Sequence, residues 1–84
     1  MKRVLEFRGI PQHELKEYFH QLAISAKSEK LFLGNGWSAS LSEEGTLSFG
    51  SLTIPVTYIT FSGDDKSVNE VIKEFRRKTM RAGG

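Results

Sequence analysis

Hydrophobic and polar residues alternate from Arg3 to Arg8. Arg3, Leu5 and Phe7 fall on one side, and Val4, Glu6 and Arg8 on the other, which predicts a short strand with one core face. Gly9 ends it. Pro11 suits a first helical position, where its missing N–H would have no helical partner anyway. Leu15, Tyr18, Phe19 and Leu22 recur at i, i+3, i+4 and i+7, so a first helix is expected over residues 11–23. Ser25 to Glu29 reads as a polar connector. Residues 30–41 read as strand, interrupted by Gly34-Asn35-Gly36. That break fits a tight turn between two strands or a bulge within one long strand, and the brevity of Leu31-Phe32-Leu33 favours the bulge. Ser42 to Gly45 reads as a turn, Thr46 to Phe49 as a strand, and Gly50-Ser51 as a bend.

Leu52 to Phe61 is rich in Thr, Ile, Val and Tyr and is the strongest strand signal in the chain. Leu52, Ile54, Val56 and Tyr58 share one face, whereas Ile59 and Phe61 lie on the other. Either both faces are partly covered or the strand changes phase near Pro55, which itself marks an edge or a bulge. Gly63 closes the strand and Asp64 is a suitable N-cap. Val68, Val71, Ile72, Phe75 and Met80 then follow at helical spacing, giving a second helix over residues 65–81 with Gly83 as a natural C′ residue. The expected order is β-α-β-β-β-α. Two helices with one apolar stripe each need common cover. The simplest solution is an α+β two-layer sandwich, a mainly antiparallel sheet with both helices on one face, as a single domain over residues 1–84.

Composition narrows the chemistry. The chain has no cysteine, which excludes disulfides, thiolate metal sites and a cysteine nucleophile. Its net charge of +2 is too small to argue for a polyanionic partner without local clustering. No apolar run approaches the roughly 18 residues of a membrane span. The start, Met1-Lys2-Arg3-Val4-Leu5-Glu6-Phe7, lacks the apolar stretch of a signal peptide. A cytoplasmic protein without membrane contact is expected.

Four features invite a functional reading. Gly34-Asn35-Gly36-Trp37-Ser38 permits close backbone approach beside a lone tryptophan, which makes Asn35 and Trp37 candidate binding residues, although a lone tryptophan more often belongs to a core. It is not a phosphate-binding loop, since the lysine and its spacing are missing. Lys73, Arg77 and Arg81, at i, i+4 and i+8, form a cationic stripe for an acidic partner or a phosphate backbone. Cations also stabilise a helix C-terminus, Glu70 and Glu74 neutralise part of the stripe, and no aromatic platform accompanies it, so nucleic-acid binding is the weaker reading. Gly83-Gly84 could act as the reactive tail of a ubiquitin-like sulfur carrier, whose carboxylate is adenylated and becomes a thiocarboxylate. It equally marks a helix end, and a chain that opens β-α and closes on a helix departs from the carrier's order. His13, Glu17 and His20 share a helical stripe, but the histidines are too far apart to hold one metal ion. No serine has a nucleophile's context, so neither metal, cofactor nor catalytic residue is expected.

Several stretches carry a resemblance: Glu6-Phe7-Arg8-Gly9-Ile10-Pro11, Gly34-Asn35-Gly36-Trp37-Ser38, Gly50-Ser51-Leu52-Thr53-Ile54-Pro55, Thr60-Phe61-Ser62-Gly63-Asp64 and Glu74-Phe75-Arg76-Arg77-Lys78 with the closing glycines. Together they resemble a small bacterial domain family. It is similar to the domain at the C-terminus of proteins related to the small subunit of molybdopterin synthase (MoaD-related proteins). The resemblance covers nearly the whole chain and carries over no catalytic residue. It implies a link to molybdopterin cofactor biosynthesis without the β-grasp carrier fold. The expectation is a non-catalytic interaction module whose partner is another protein of that pathway. Sulfur carriage through Gly84 and nucleic-acid binding through Lys73, Arg77 and Arg81 stand as the alternatives.

Overall fold

One long strand organises the sheet. The computed structural model describes residues 1–83, with side-chain surroundings described as far as Met80. In chain order the elements are β1 (Lys2–Arg8), α1 (Gln12–Leu22), β2 (Ser25–Ser28), β3 (Leu31–Leu33), β4 (Trp37–Leu41), β5 (Gly45–Phe49), β6 (Leu52–Gly63) and α2 (Asp65–Gly83). β6 pairs with β1 along one side, from Lys2↔Ser62 to Arg8↔Val56. Its other side is shared, β4 covering residues 59–63 and β5 residues 52–56. The sheet order is β1-β6-β4-β3-β2 with β5 off this path, and every pairing is antiparallel.

The α+β sandwich is therefore as expected, with two strands more than the sequence pattern suggested. Gly34-Asn35-Gly36 is a turn and not a bulge: β3 folds back on β4 with Leu31↔Ser40, Phe32↔Ala39 and Leu33↔Ser38 in register. Three residues suffice for β3 because it is held on both sides, β2 being its other neighbour. The polar connector at Ser25 is the edge strand β2, irregular between Ala26 and Ser28 and exposed along its whole length. An edge strand with both faces in water has no alternation to betray it.

Both helices lie on one face. Leu15 and Phe19 of α1 and Val68, Val71, Ile72 and Phe75 of α2 meet Phe32, Ala39, Leu41, Ile59 and Phe61 of the sheet in one cluster. The unbroken register with β5, from Gly45↔Val56 through Thr46↔Pro55 to Phe49↔Leu52, shows that β6 does not change phase at Pro55. Thr57, Ile59 and Phe61 face the helices and are buried. On the opposite face Val56 is buried, while Leu52 and Tyr58 stay exposed. Pro55 lies just beyond the end of β1, and its carbonyl accepts the Gly9 N–H at 2.9 Å. Among the described residues no helix is long and apolar enough to cross a membrane.

The start of α1 is closed from a distance. Pro11 occupies the N-cap position, with the helix beginning at Gln12, and supplies no side-chain cap. The Gln12 N–H instead donates to Glu44 Oε2 at 2.6 Å, from the connection between β4 and β5. The Gln12 side-chain amide donates to the Ser42 carbonyl at 2.8 Å and to Thr57 Oγ1 at 3.3 Å. Glu44 thus does a capping residue's work across the fold. Glu44→Ala should lower stability by about 0.5–2 kcal/mol, the usual cost of losing an N-cap. Glu44→Gln should recover part of it, because the acceptor survives without the charge that favours a helix N-terminus. Urea midpoints of the two variants check this ordering.

Candidate functional site: the cleft beside Trp37

The turn that carries Asn35 and Trp37 is built around two glycines. At Gly34 a Cβ would collide with the Trp37 indole, so only glycine leaves room for the ring in this position. The Gly34 N–H closes the turn onto the Trp37 carbonyl at 2.8 Å. Gly36 has φ of 84°, in the left-handed region, and a Cβ there would approach Ser67 Oγ to 2.5 Å. Its carbonyl accepts the Asp64 N–H at 3.0 Å, which ties the turn to the start of α2. Asp64 caps that helix as predicted, Oδ2 accepting the Ser67 N–H at 2.9 Å. This bond holds the Asp64 carboxyl below its ordinary range.

Trp37 consequently has two roles. Its ring centroid stands 6.2 Å from that of Phe19, so part of the indole belongs to the core edge. The side chain also lines a cleft of about 310 Å³ between the turn, the end of α1 and the first half of α2. Leu22, Asn35 and Val71 complete its wall, and Ser67, Glu70 and Glu74 supply polar groups. Ser67, Glu70, Val71 and Glu74 follow the i, i+3, i+4, i+7 spacing of one helical stripe, and that spacing is the signal that would have revealed them. Their place in a cleft is not what the sequence suggests, since Val71 reads as core and Glu70 and Glu74 as partners of the basic stripe. An indole beside two carboxylates suits a cationic side chain, which gains charge attraction and an aromatic face together. It does not suit a phosphate.

The structure unites Asn35 and Trp37 and separates them from most of the basic residues. Lys73 and Arg77 are exposed on α2 and line no part of the cleft. Arg77 Nη1 donates to Glu74 Oε1 at 3.0 Å, so the stripe meets the cleft through an ion pair. Helix α2 runs to Gly83, two residues past the expected end. The side chain of Arg81, the surroundings of Gly83, and Gly84 itself lie outside the described residues.

The other sequence candidates resolve into structural contacts. Among the described residues no group of three His, Asp or Glu could hold a metal ion. His20 stands edge-on to Phe32 with centroids 5.3 Å apart. It shares a second cleft of about 360 Å³ with Lys16, Glu29 and residues of the β2–β3 hairpin. Glu43 pairs with Lys30, and the hydrogen bond from that ammonium group holds its carboxyl below the usual range.

No curated protein matches the chain significantly. The family model described as "Archaeal MoaD-like protein" matches residues 3–84, which includes every stretch that carried the sequence resemblance. The chain therefore belongs to the archaeal MoaD-like protein family.

Proposed function

We propose that this domain is a non-catalytic interaction module of molybdopterin cofactor assembly, and that it takes a cationic side chain of a protein partner into the Trp37 cleft. Family membership supports the pathway. The single observation that supports the mode of binding is the cleft wall, where the indole of Trp37 stands with the carboxylates of Glu70 and Glu74. Since Trp37 is the sole tryptophan, it reports its own occupancy. Adding molybdopterin synthase subunits or the pathway's activating protein should give a saturable change in Trp37 emission. Chemical-shift changes should centre on Asn35, Ser67 and Glu70. Replacing both carboxylates, Glu70→Lys with Glu74→Lys, should weaken binding at least about tenfold, since a close like charge replaces an attraction. Silence of Trp37 and of α2 towards every one of these partners would discard the reading.

Sulfur carriage by Gly84 draws support from the family's likeness to MoaD. Incubation with ATP, the activating enzyme and a sulfur donor, followed by intact mass measurement, separates the two. A carrier exchanges one carboxylate oxygen for sulfur, and an unchanged mass removes this alternative.

A further inference from the structure

From Gly45 to Gly63 the chain carries no charged residue. This stretch includes the β5–β6 hairpin, which extends along β6 beyond the last pair with β1. Its turn is tight: of Gly50 and Ser51 only Gly50 has positive φ, at 60°, the pattern of a type II′ turn. One face of this arm is apolar. Leu47 pairs with Ile54 and Phe49 with Leu52, and Phe49 and Leu52 are 54% and 59% exposed. Thr46, Ser48 and Thr53 lie on the other face.

The outer edge of β5 is unpartnered among the described strands, β6 being its only neighbour. The direction of its backbone groups follows from β6. The Pro55 carbonyl points to the β1 side, accepting from Gly9, whereas the Tyr58 carbonyl points to the β4 side, accepting from Ser42. Even-numbered residues of β6 therefore bond to β5. The partners of those residues, Gly45, Leu47 and Phe49, point inward, while Thr46 and Ser48 present their N–H and C=O groups outward.

Other edges of the sheet carry the usual defences against pairing. β1 has Lys2, Arg3, Glu6 and Arg8; β2 has Lys27 and an irregular register; and the free stretch of β6 is interrupted by Pro55. β5 has no charge, no proline and no bulge within it.

We propose that a second copy of this chain pairs antiparallel with β5, joining two sheets about a two-fold axis at Leu47. The register is self-complementary. Centring on Leu47 sets Thr46 opposite Ser48 of the second copy, and the reverse, so all the outward backbone groups of both strands find partners. Phe49 then lies opposite Gly45 of the second copy, where the absent side chain leaves room for the ring. Leu47 meets its own counterpart on the same face, and Gly50 of the second copy stands opposite Glu44, so no like charges meet. The contact is isologous and closes as a dimer.

Sedimentation over a concentration series tests it, with amide exchange as the site-specific reading. A mass of two chains falling to one on dilution is expected. The Thr46 and Ser48 amides should be protected in the dimer and should exchange freely in the monomer, while Leu47 and Phe49 stay protected in both. Ser48→Pro removes an outward N–H without touching the ladder to β6, and Leu47→Lys places two like charges on the axis. Each should yield a monomer with unchanged core chemical shifts. A wild type that stays monomeric at the highest workable concentration overturns the proposal, including the case in which this edge takes a strand from a different protein. So does a dimer that survives both substitutions, or Thr46 and Ser48 amides that exchange equally fast at all concentrations.

Discussion

Truncating Phe19 to alanine is expected to cost about 3–5 kcal/mol, the range for removing a buried aromatic side chain. Phe19 is fully buried and has four aromatic rings as neighbours. It stacks on Phe75 at 4.4 Å between centroids and on Phe32 at 5.2 Å, with Phe61 at 5.9 Å and Trp37 at 6.2 Å. One side chain therefore joins α1 to α2, to the β3–β4 hairpin and to the central strand. A chain of this size has roughly 4–13 kcal/mol of total stability, at 0.05–0.15 kcal/mol per residue. The loss is thus a large fraction of the margin, and all of it at the lower bound. Urea unfolding followed through Trp37 emission would give the number, and Phe19→Leu should lose only a fraction of it. A loss under about 1 kcal/mol, far below the range of about 3–5 kcal/mol for truncating a buried Phe, would mean that the stack does not hold the layers together.

Phe19 was visible in the sequence, as were its helical neighbours, because an amphipathic helix writes its buried face at fixed spacing. Leu15 and Phe19 of α1, and Val68, Val71, Ile72 and Phe75 of α2, are all in the core. The exception is Met80, which fitted the stripe and is largely exposed. At about 100° per residue Met80 lies about 120° round the helix from Val68, and buried Thr79 takes the stripe's place in that turn. Strands were less legible. β2 has two wet faces and hence no period. The Gly34-Asn35-Gly36 break was ambiguous because glycine and asparagine serve turns and bulges alike. What decides between them is the pairing of β3 back onto β4, which no local pattern records. The same limit applies to the cleft. Asn35 and Trp37 could be picked out by composition. Glu70 and Glu74 could be read as partners of the basic stripe, but not as neighbours of an indole more than 30 positions earlier. The capping of Gln12 by Glu44 is equally non-local.

Gly63→Ala should be among the most damaging single-methyl additions possible in this chain. Gly63 has φ of 144°, a backbone state that a side chain strains, and a Cβ there would sit 2.8 Å from Trp37 Cα and against the Gly36 carbonyl. Both obstacles are backbone, so no rotamer relieves them. The strained conformation contributes about 1–3 kcal/mol, and overpacking adds about 1–3 kcal/mol more. Relief by movement would be costly as well. Gly63 exchanges hydrogen bonds with Met1 at 2.9 and 3.1 Å, pairs with Trp37 at the end of β4, and precedes the cap of α2. Gly50→Ala provides the control. Gly50 also has positive φ, yet a Cβ there would touch nothing, so its cost is conformational alone, of order 1–2 kcal/mol. Urea midpoints should therefore rank wild type above Gly50→Ala and Gly50→Ala well above Gly63→Ala. Only Gly63→Ala should alter the folded-state emission of Trp37, because only there does the added methyl press on the backbone that carries the indole. Equal losses for the two variants, with Trp37 undisturbed in both, would show that β4 does not approach Gly63 closely. The cleft would then lack the rigid floor on which its binding role depends.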